Sequence, residues 1–361
     1  MKKILIKFLL SIAGGIISLI IFEIFLNITG IYDKKEIVFE TNYRYKLDKR
    51  LIYSLKPDNV SEWETDEFHE EVFINSTGFR NRYNLKLGNY NETYRIFAIG
   101  DSWTFGHGLS DGFTYPELLE NILNQSGCLN KEITVINAAV PGYSSDQSYR
   151  VIDEIITPYL PDAVIWNFTI GDVDDMLGPN PSLYDLDKEN RLISHSGQYN
   201  WLYAQSIIHK FTPRILRKSN LYNMLVANLY SVNPDNLGKS RTESEILDYS
   251  VNKLKAQIKN WQSDKGKNTI LIITRLPALA DFSADQNQRY SYFFNNFVRM
   301  LKEQEIIYID LTGQLKDDDT DPRRLFFKND FHPNENGAKL IASILAKHLC
   351  EILPPMVNLP E

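Results

Sequence analysis

Five short apolar runs, Tyr94–Ile99, Ile133–Val140, Ala163–Ile170, Thr269–Thr274 and Ile306–Leu311, constrain this chain more than any other feature. Each is nearly continuous rather than alternating, as strands buried on both faces should be. Helical patterns fall between them. Thr114-Tyr115-Pro116-Glu117 opens one with Leu118, Leu119, Ile122 and Leu123 on one face, and others cover Ser145–Ile156, Ala284–Leu301 and Gly337–Ile352. The clearest starts at Thr242, whose Thr-x-x-Glu to Glu245 is a capping box, and continues through Leu247, Val251, Leu254, Ile258 and Trp261 at helical spacing. Strands alternating with helices predict an α/β fold over residues 94–352, a parallel five-stranded sheet covered on both sides.

The chain spends far more residues between the third and fourth runs than a usual connection needs, so an insertion is expected at about 177–241. Its Tyr184, Tyr199, Trp201, Tyr203, Tyr222 and Tyr230 are enough aromatic surface for a cap over the carboxyl edge of the sheet. Such faces suit sugar rings or acyl chains, and equally a small core of the cap's own. Residues 31–93 hold no sustained period and read as a stalk followed by an irregular lead-in, and residues 353–361 as a C-terminal tail.

The first thirty residues differ from the rest. Lys2, Lys3 and Lys7 precede Phe8–Leu26, which is apolar apart from Ser11, Ser18, Glu23 and two glycines and is near the length that crosses a bilayer. A cleaved signal peptide is the rival, but Phe25-Leu26-Asn27-Ile28 supplies no small-residue cleavage site. The expectation is an uncleaved membrane anchor over 1–30. Its lysines stay in the cytoplasm and residues from about 31 onward lie outside it, in the periplasm or at the cell exterior if the source is bacterial. The formal net charge of −7, without a basic patch, argues against a nucleic-acid partner.

Only two cysteines occur, Cys128 closing the first helix and Cys350 in the last. An exported location permits a disulfide. In a doubly wound sheet of order 2-1-3-4-5 those helices share a face, so a bridge between them is expected.

Gly100-Asp101-Ser102 ends the first apolar run, and Asp330-Phe331-His332-Pro333-Asn334 lies just before the last helical pattern. In a parallel sheet both reach the carboxyl edge, where ligands bind. A serine hydroxyl is a poor nucleophile until an imidazole takes its proton, and the imidazole needs a partner to fix its tautomer. Ser102, His332 and a nearby carboxylate meet those needs.

Gly100-Asp101-Ser102, then Gly142 in Asn137-Ala138-Ala139-Val140-Pro141-Gly142-Tyr143-Ser144, then Gly171-Asp172-Val173, then Asp330-Phe331-His332-Pro333-Asn334 resemble the ordered blocks of the SGNH (GDSL-type) hydrolase superfamily. Ile74-Asn75-Ser76-Thr77-Gly78-Phe79-Arg80 is similar to the lead-in of its membrane-anchored bacterial members. The resemblance implies a three-layer α/β/α flavodoxin-like fold, esterase or lipase-like chemistry and no metal or organic cofactor. It makes Ser102 the nucleophile and His332 the general base, with the main-chain N–H groups of Ser102 and Gly142 as the oxyanion hole.

Two departures matter. Where the third block usually carries an asparagine donor this chain has Gly171, and Asn167 is too far along the strand to replace it easily. The fourth block is commonly Asp-x-x-His, whereas Asn329 stands three before His332 and Asp330 two before it. Either could orient the ring; Asp330 is the expected partner, with Asn329 the weaker one. Asp101 is expected to fix the turn. His107 is expected either to line the pocket or to be structural or solvent-facing, and Asp172, Asp174 and Asp175 to be solvated or helix-capping. His69, His195, His209 and His348 show no zinc-ligand spacing.

The reading is therefore a membrane-anchored, extracytoplasmic serine esterase that releases acetyl or short acyl groups, with an envelope or exported glycan as the acyl bearer. One alternative is an O-acyltransferase, in which a sugar hydroxyl replaces water. Another is an inactive binding or assembly protein on the same fold, favoured by the missing asparagine and disfavoured by the retention of both Ser102 and His332.

Overall fold

The structure, a computed structural model, describes residues 2–29, 44–87, 93–177, 183–194, 219, 221, 242–282, 288–316 and 321–353, with side chains 2, 4, 5, 8, 9, 12 and 27 outside the described set. The chain divides into two compact units, Met1–Glu40 with Trp201–Lys239, and Thr41–Asn200 with Ser240–Glu361.

In the first unit, α1 spans Lys2–Thr29 and exposes Ile16, Ile17, Leu19, Ile20, Ile21 and Phe25. Glu23, the acidic residue of this stretch, accepts hydrogen bonds from Ser219 Oγ and from the Leu221 N–H, each at 2.8 Å. Among the described residues no helix is long and apolar enough to cross a membrane. Most of the proposed insertion, including Tyr199, Trp201, Tyr203, Tyr222 and Tyr230, lies outside the described residues.

The second unit opens with two antiparallel hairpins, β1 (Tyr45–Asp48) with β2 (Ile52–Leu55) and β3 (Asn59–Glu64) with β4 (His69–Ile74). The sequence reading of an irregular lead-in missed them for a physical reason. The inward face of β4 presents Glu70, Val72 and Ile74, and Glu70 is 0% exposed, so the alternation of polar and apolar residues is broken by a buried charge. That charge is paired: Arg44 meets both carboxylate oxygens, at 3.2 and 2.9 Å, and Arg80 lies 3.8 Å away.

Next come β5 (Thr93–Ile99), α2 (Ser102–Phe105), α3 (Tyr115–Ser126), β6 (Glu132–Asn137), α4 (Ser145–Arg150) continued by a π-helical turn Val151–Ile156, β7 (Ala163–Phe168) and α5 (Ile170–Leu177). After a small hairpin, β8 (Tyr184–Leu186) with β9 (Leu192–Ser194), follow α6 (Glu243–Ser263), β10 (Ile270–Arg275), α7 (Gln288–Glu303), β11 (Ile307–Asp310), α8 (Leu311–Lys316) and α9 (Glu335–Ile352). The sheet runs β11-β10-β7-β5-β6 with every pair parallel, which is order 2-1-3-4-5 among its own strands.

Both faces of β5, β7 and the middle of β10 are buried, which is why their apolar runs are continuous, while the edge strands β6 and β11 are part-buried. Phe97 and Ile99 point to one side with Val164, Trp166 and Ile273, under Leu254, Ile258 and Trp261 of α6 and Phe293 and Phe297 of α7. Ile96 and Ala98 point to the other with Val135, Ile165 and Ile272, under Leu119 and Leu123 of α3 and Ile341, Leu345 and Leu349 of α9. The Thr242 capping box forms as expected, the Thr242 hydroxyl accepting from the Glu245 N–H while the Glu245 carboxylate accepts from the Thr242 N–H. Cys128 and Cys350 are disulfide-bonded, joining the end of α3 to α9 on their shared face.

Candidate active site

Ser102 stands where β5 stops. A Cβ at Gly100 would collide with Thr104 Oγ1, so only glycine lets the chain turn this tightly out of the strand. Asp101 caps the turn by accepting the Trp103 N–H at 2.9 Å. The turn and the segment after it are held from behind by Arg80, 1% exposed, which donates to the carbonyls of Phe105 (2.9 Å), Gly106 (3.0 Å) and Leu109 and to Asp111 (3.1 Å). Burial pulls the Arg80 guanidinium downward from its ordinary range, and the charges of Glu70 and Asp111 oppose that pull. Arg80 closes the Ile74–Arg80 segment singled out by resemblance, so the lead-in is part of the scaffold beneath the serine turn.

The other half of the site is the loop 326–334. Phe326 and Pro333 form an isolated antiparallel bridge, and Asn334 both caps α9 and donates to the carbonyls of Arg324 and Phe326. Between them Phe331 takes a left-handed backbone, φ 68°, a strained conformation for a bulky residue. This loop and the serine turn bring three predicted residues together. Ser102 Oγ lies 2.8 Å from His332 Nε2, and His332 Nδ1 lies 2.6 Å from Asp330 Oδ1. A carboxylate only accepts, so Nδ1 carries the proton and Nε2 turns its lone pair to the serine hydroxyl. Asn329 is exposed and meets Glu67 through its main-chain N–H, so the side chain against the imidazole is that of Asp330. Burial acts to raise the Asp330 carboxyl, but hydrogen bonds from His107 and His332 outweigh it and hold the group well below the usual carboxylate range. Trp103 packs against the imidazole with ring centroids 4.1 Å apart.

Gly142, φ 76°, lies on the loop after β6, and Tyr53 braces it by donating to the Pro141 carbonyl at 2.8 Å. Among the described residues no acceptor takes the main-chain N–H of Ser102 or of Gly142. Asn167 is not a substitute for the family's asparagine. Its amide donates to the Ile99 carbonyl (2.9 Å) and the Tyr115 hydroxyl (2.7 Å), and its oxygen accepts from Thr274. The third block carries a buried carboxylate instead, Asp172, which accepts the Thr169 N–H at 2.8 Å at the start of α5. Burial, and then the charge of Asp101, push its carboxyl well above the usual range. Asp174 is ion-paired to Arg289 at 2.8 Å.

Two neighbours complete the surroundings of Asp330: Glu67, which sequence reading did not single out, and His107, which it left open between a pocket-lining and a structural or solvent-facing place. Glu67, in the β3–β4 turn, accepts the N–H groups of Asn329 (2.9 Å) and Asp330 (3.0 Å), and no local signal announces it. His107 Nε2 sits 3.5 Å from Asp330 Oδ2. His107, Asp330 and His332 offer three metal-ligand atoms within 4.8 Å of one another. Both nitrogens of His332 are already engaged, by Ser102 and by Asp330, so a cation there would compete with the serine contact.

A parallel sheet of this order, with Ser102, His332 and Asp330 in contact at its carboxyl edge, fits the SGNH class of ester-hydrolysing enzymes. The model of the GDSL-like lipase/acylhydrolase family matches residues 98–340, and the chain belongs to that family. No curated protein matches it. Among solved structures it is similar to the lipase/acylhydrolase from Enterococcus faecalis, 14% identical at a TM-score of 0.42 over 73% of this chain and 100% of the other. It is also similar to the psychrotrophic esterase EstA from Pseudoalteromonas sp., 13% identical at 0.41 over 72% and 98%. The family 3 carbohydrate esterase of Clostridium thermocellum is 18% identical at 0.39 over 72% and 97%.

Proposed function

We propose that the chain is a serine esterase in which Ser102 attacks the carbonyl of an acetyl or short-chain acyl ester, with a glycan as the acyl bearer. The observation that carries this reading is the unbroken contact from Ser102 Oγ through His332 to Asp330, at 2.8 and 2.6 Å. In the first step His332 Nε2 takes the hydroxyl proton as Oγ bonds to the carbonyl carbon, and the Asp330 carboxylate stabilises the imidazolium. The main-chain N–H groups of Ser102 and Gly142 receive the oxyanion. Collapse of the tetrahedral species expels the alcohol, protonated by His332. Water then repeats the sequence on the acyl-enzyme to release the acid. With Gly171 in place of an asparagine, the hole lacks a side-chain donor worth on the order of a hundredfold in rate.

The full-length protein treated with a fluorophosphonate should label, and Ser102→Ala and His332→Ala should not. A folded protein that never labels would sink the hydrolase reading and favour an inactive binding protein.

The membrane anchor belongs to the same proposal. Counted over every position, Phe8–Leu26 holds one charged residue, Glu23. A continuous helix of 28 residues rises about 42 Å, more than a hydrocarbon core requires. With Lys2, Lys3 and Lys7 on the cytoplasmic side the enzyme domain is extracytoplasmic. Carbonate extraction checks the anchor: full-length protein should stay in the membrane pellet, and release into the supernatant would rule out a span.

A further inference from the structure

We infer that His107 is a positioning residue of the esterase, clamping the Asp330 carboxylate from the side opposite His332. The inference rests on the serine-hydrolase reading and adds a fourth member to its chain of contacts.

The nucleophile's own turn sets the residue in place. Gly106, φ 86°, ends α2 in a left-handed conformation, and the N–H groups of Gly106 and His107 both donate to the Ser102 carbonyl at 3.0 Å. His107 is thereby directed back toward the loop 326–334. Its ring is 11% exposed and packs edge-on against Trp63 (5.0 Å), Phe68 (5.5 Å) and His332 (4.8 Å). The two hairpin aromatics leave it little freedom to turn away.

The two imidazoles take opposite oxygens of one carboxylate. His332 Nδ1 meets Oδ1 at 2.6 Å and His107 Nε2 meets Oδ2 at 3.5 Å. At 3.5 Å the second contact is at the long limit of a hydrogen bond, so its weight is electrostatic and steric. Such contacts tighten when substrate closes a site. Two further ionisable groups face this cluster among the described residues: Asp101 of the serine turn, whose carboxyl is raised by burial against the opposing charge of His332, and Glu67, which holds the Asp330 main-chain N–H. Backbone and side chain of Asp330 are thus fixed by separate partners. Rotation of the carboxylate about its Cβ–Cγ bond would detach Oδ1 from His332, and His107 opposes that rotation.

The test compares wild type, His107→Phe and His107→Gln in the full-length protein, with p-nitrophenyl acetate and a fluorophosphonate as probes. Phenylalanine keeps the packing against Trp63 and Phe68 and removes the N–H; glutamine restores a donor. In His107→Phe kcat should fall about tenfold with KM within about twofold, short of the hundredfold that a misplaced reacting group costs. The acid limb of kcat/KM should move to higher pH, because the Asp330 charge is then compensated by His332 alone. His107→Gln should recover most of the rate. A His107→Phe enzyme that labels and turns over like wild type with an unmoved acid limb overturns the inference while leaving the esterase reading intact. Loss of wild-type activity on chelation, restored by a divalent metal, would overturn it by making His107 a ligand. A wild type that neither labels nor hydrolyses the ester removes both readings.

Discussion

Glu67 and Asp330 are 263 positions apart in sequence, yet the Glu67 carboxylate accepts the Asp330 main-chain N–H at 3.0 Å and that of Asn329 at 2.9 Å. The turn of the β3–β4 hairpin thereby anchors the loop that carries His332, the proposed general base. Glu67→Ala should lower kcat on p-nitrophenyl acetate about tenfold, because the loop loses its registration rather than a reacting group. Its Tm should stay within about 2 °C of wild type, as expected for a half-buried surface contact. Steady-state kinetics with a thermal melt on the same sample checks both. An unchanged kcat would show that the loop is held sufficiently by the Phe326–Pro333 bridge and Asn334.

Asp330 and Asn329 make a paired test of which residue orients His332. Asp330→Asn keeps the size of the side chain but offers the ring the wrong hydrogen-bond partner and no charge, and the loss in kcat should be on the order of 10⁴-fold. Asn329→Ala should sit within a factor of about two of wild type, since its contact with Glu67 is through the main chain. The reverse ranking would return the role to the family's more common position.

Asp172 carries a pH signature with a definite sign. Burial and the neighbouring Asp101 raise its folded pKa above the unfolded value. The folded state therefore holds the proton more tightly, and the associated stability is present below the unfolded pKa and lost as pH rises through the folded one. Asp172→Asn keeps a carbonyl oxygen for the Thr169 N–H and removes the ionisation. Melting between pH 4 and pH 8 should show the variant gaining on wild type as pH rises. Parallel curves would mean that Asp172 ionises without cost.

The Cys128–Cys350 bridge closes a loop with a sequence separation of 222. In the chain-entropy account such a crosslink contributes on the order of 5 kcal/mol. Denaturant unfolding with and without reductant should show a lower midpoint for the reduced protein. Alkylation of the denatured, unreduced protein should add no mass. Two alkyl groups added under those conditions would show free thiols.

The parallel sheet, the serine turn and the Asp-x-His loop were legible from the chain alone, because each depends on local pattern. A strand buried on two faces is apolar except where a polar side chain such as Arg95, Asn167 or Thr274 is hydrogen-bonded, and Gly100 and Pro333 mark sharp changes of direction within a few residues. Strand ends were less legible. The run read as Ile133–Val140 leaves the strand at Asn137, because Ala138, Ala139 and Val140 stay buried after the regular ladder has ended. The hairpins over residues 45–74 escaped the period entirely, since a buried Glu70 is stable only beside Arg44 and Arg80, neither of which lies on the hairpin that carries it.

Sequence by itself determined the five strands of the parallel sheet, the helices between them and the candidate pair Ser102 and His332, since these follow from burial and turn chemistry acting over a few residues. Tertiary structure alone decided that Asp330 rather than Asn329 faces His332, that Glu67 and His107 meet Asp330, and that Asn167 is committed to Ile99, Tyr115 and Thr274. The reason is physical. A hydrogen bond between residues hundreds of positions apart leaves no periodic trace in either segment and exists only once the sheet has brought its carboxyl ends to one edge.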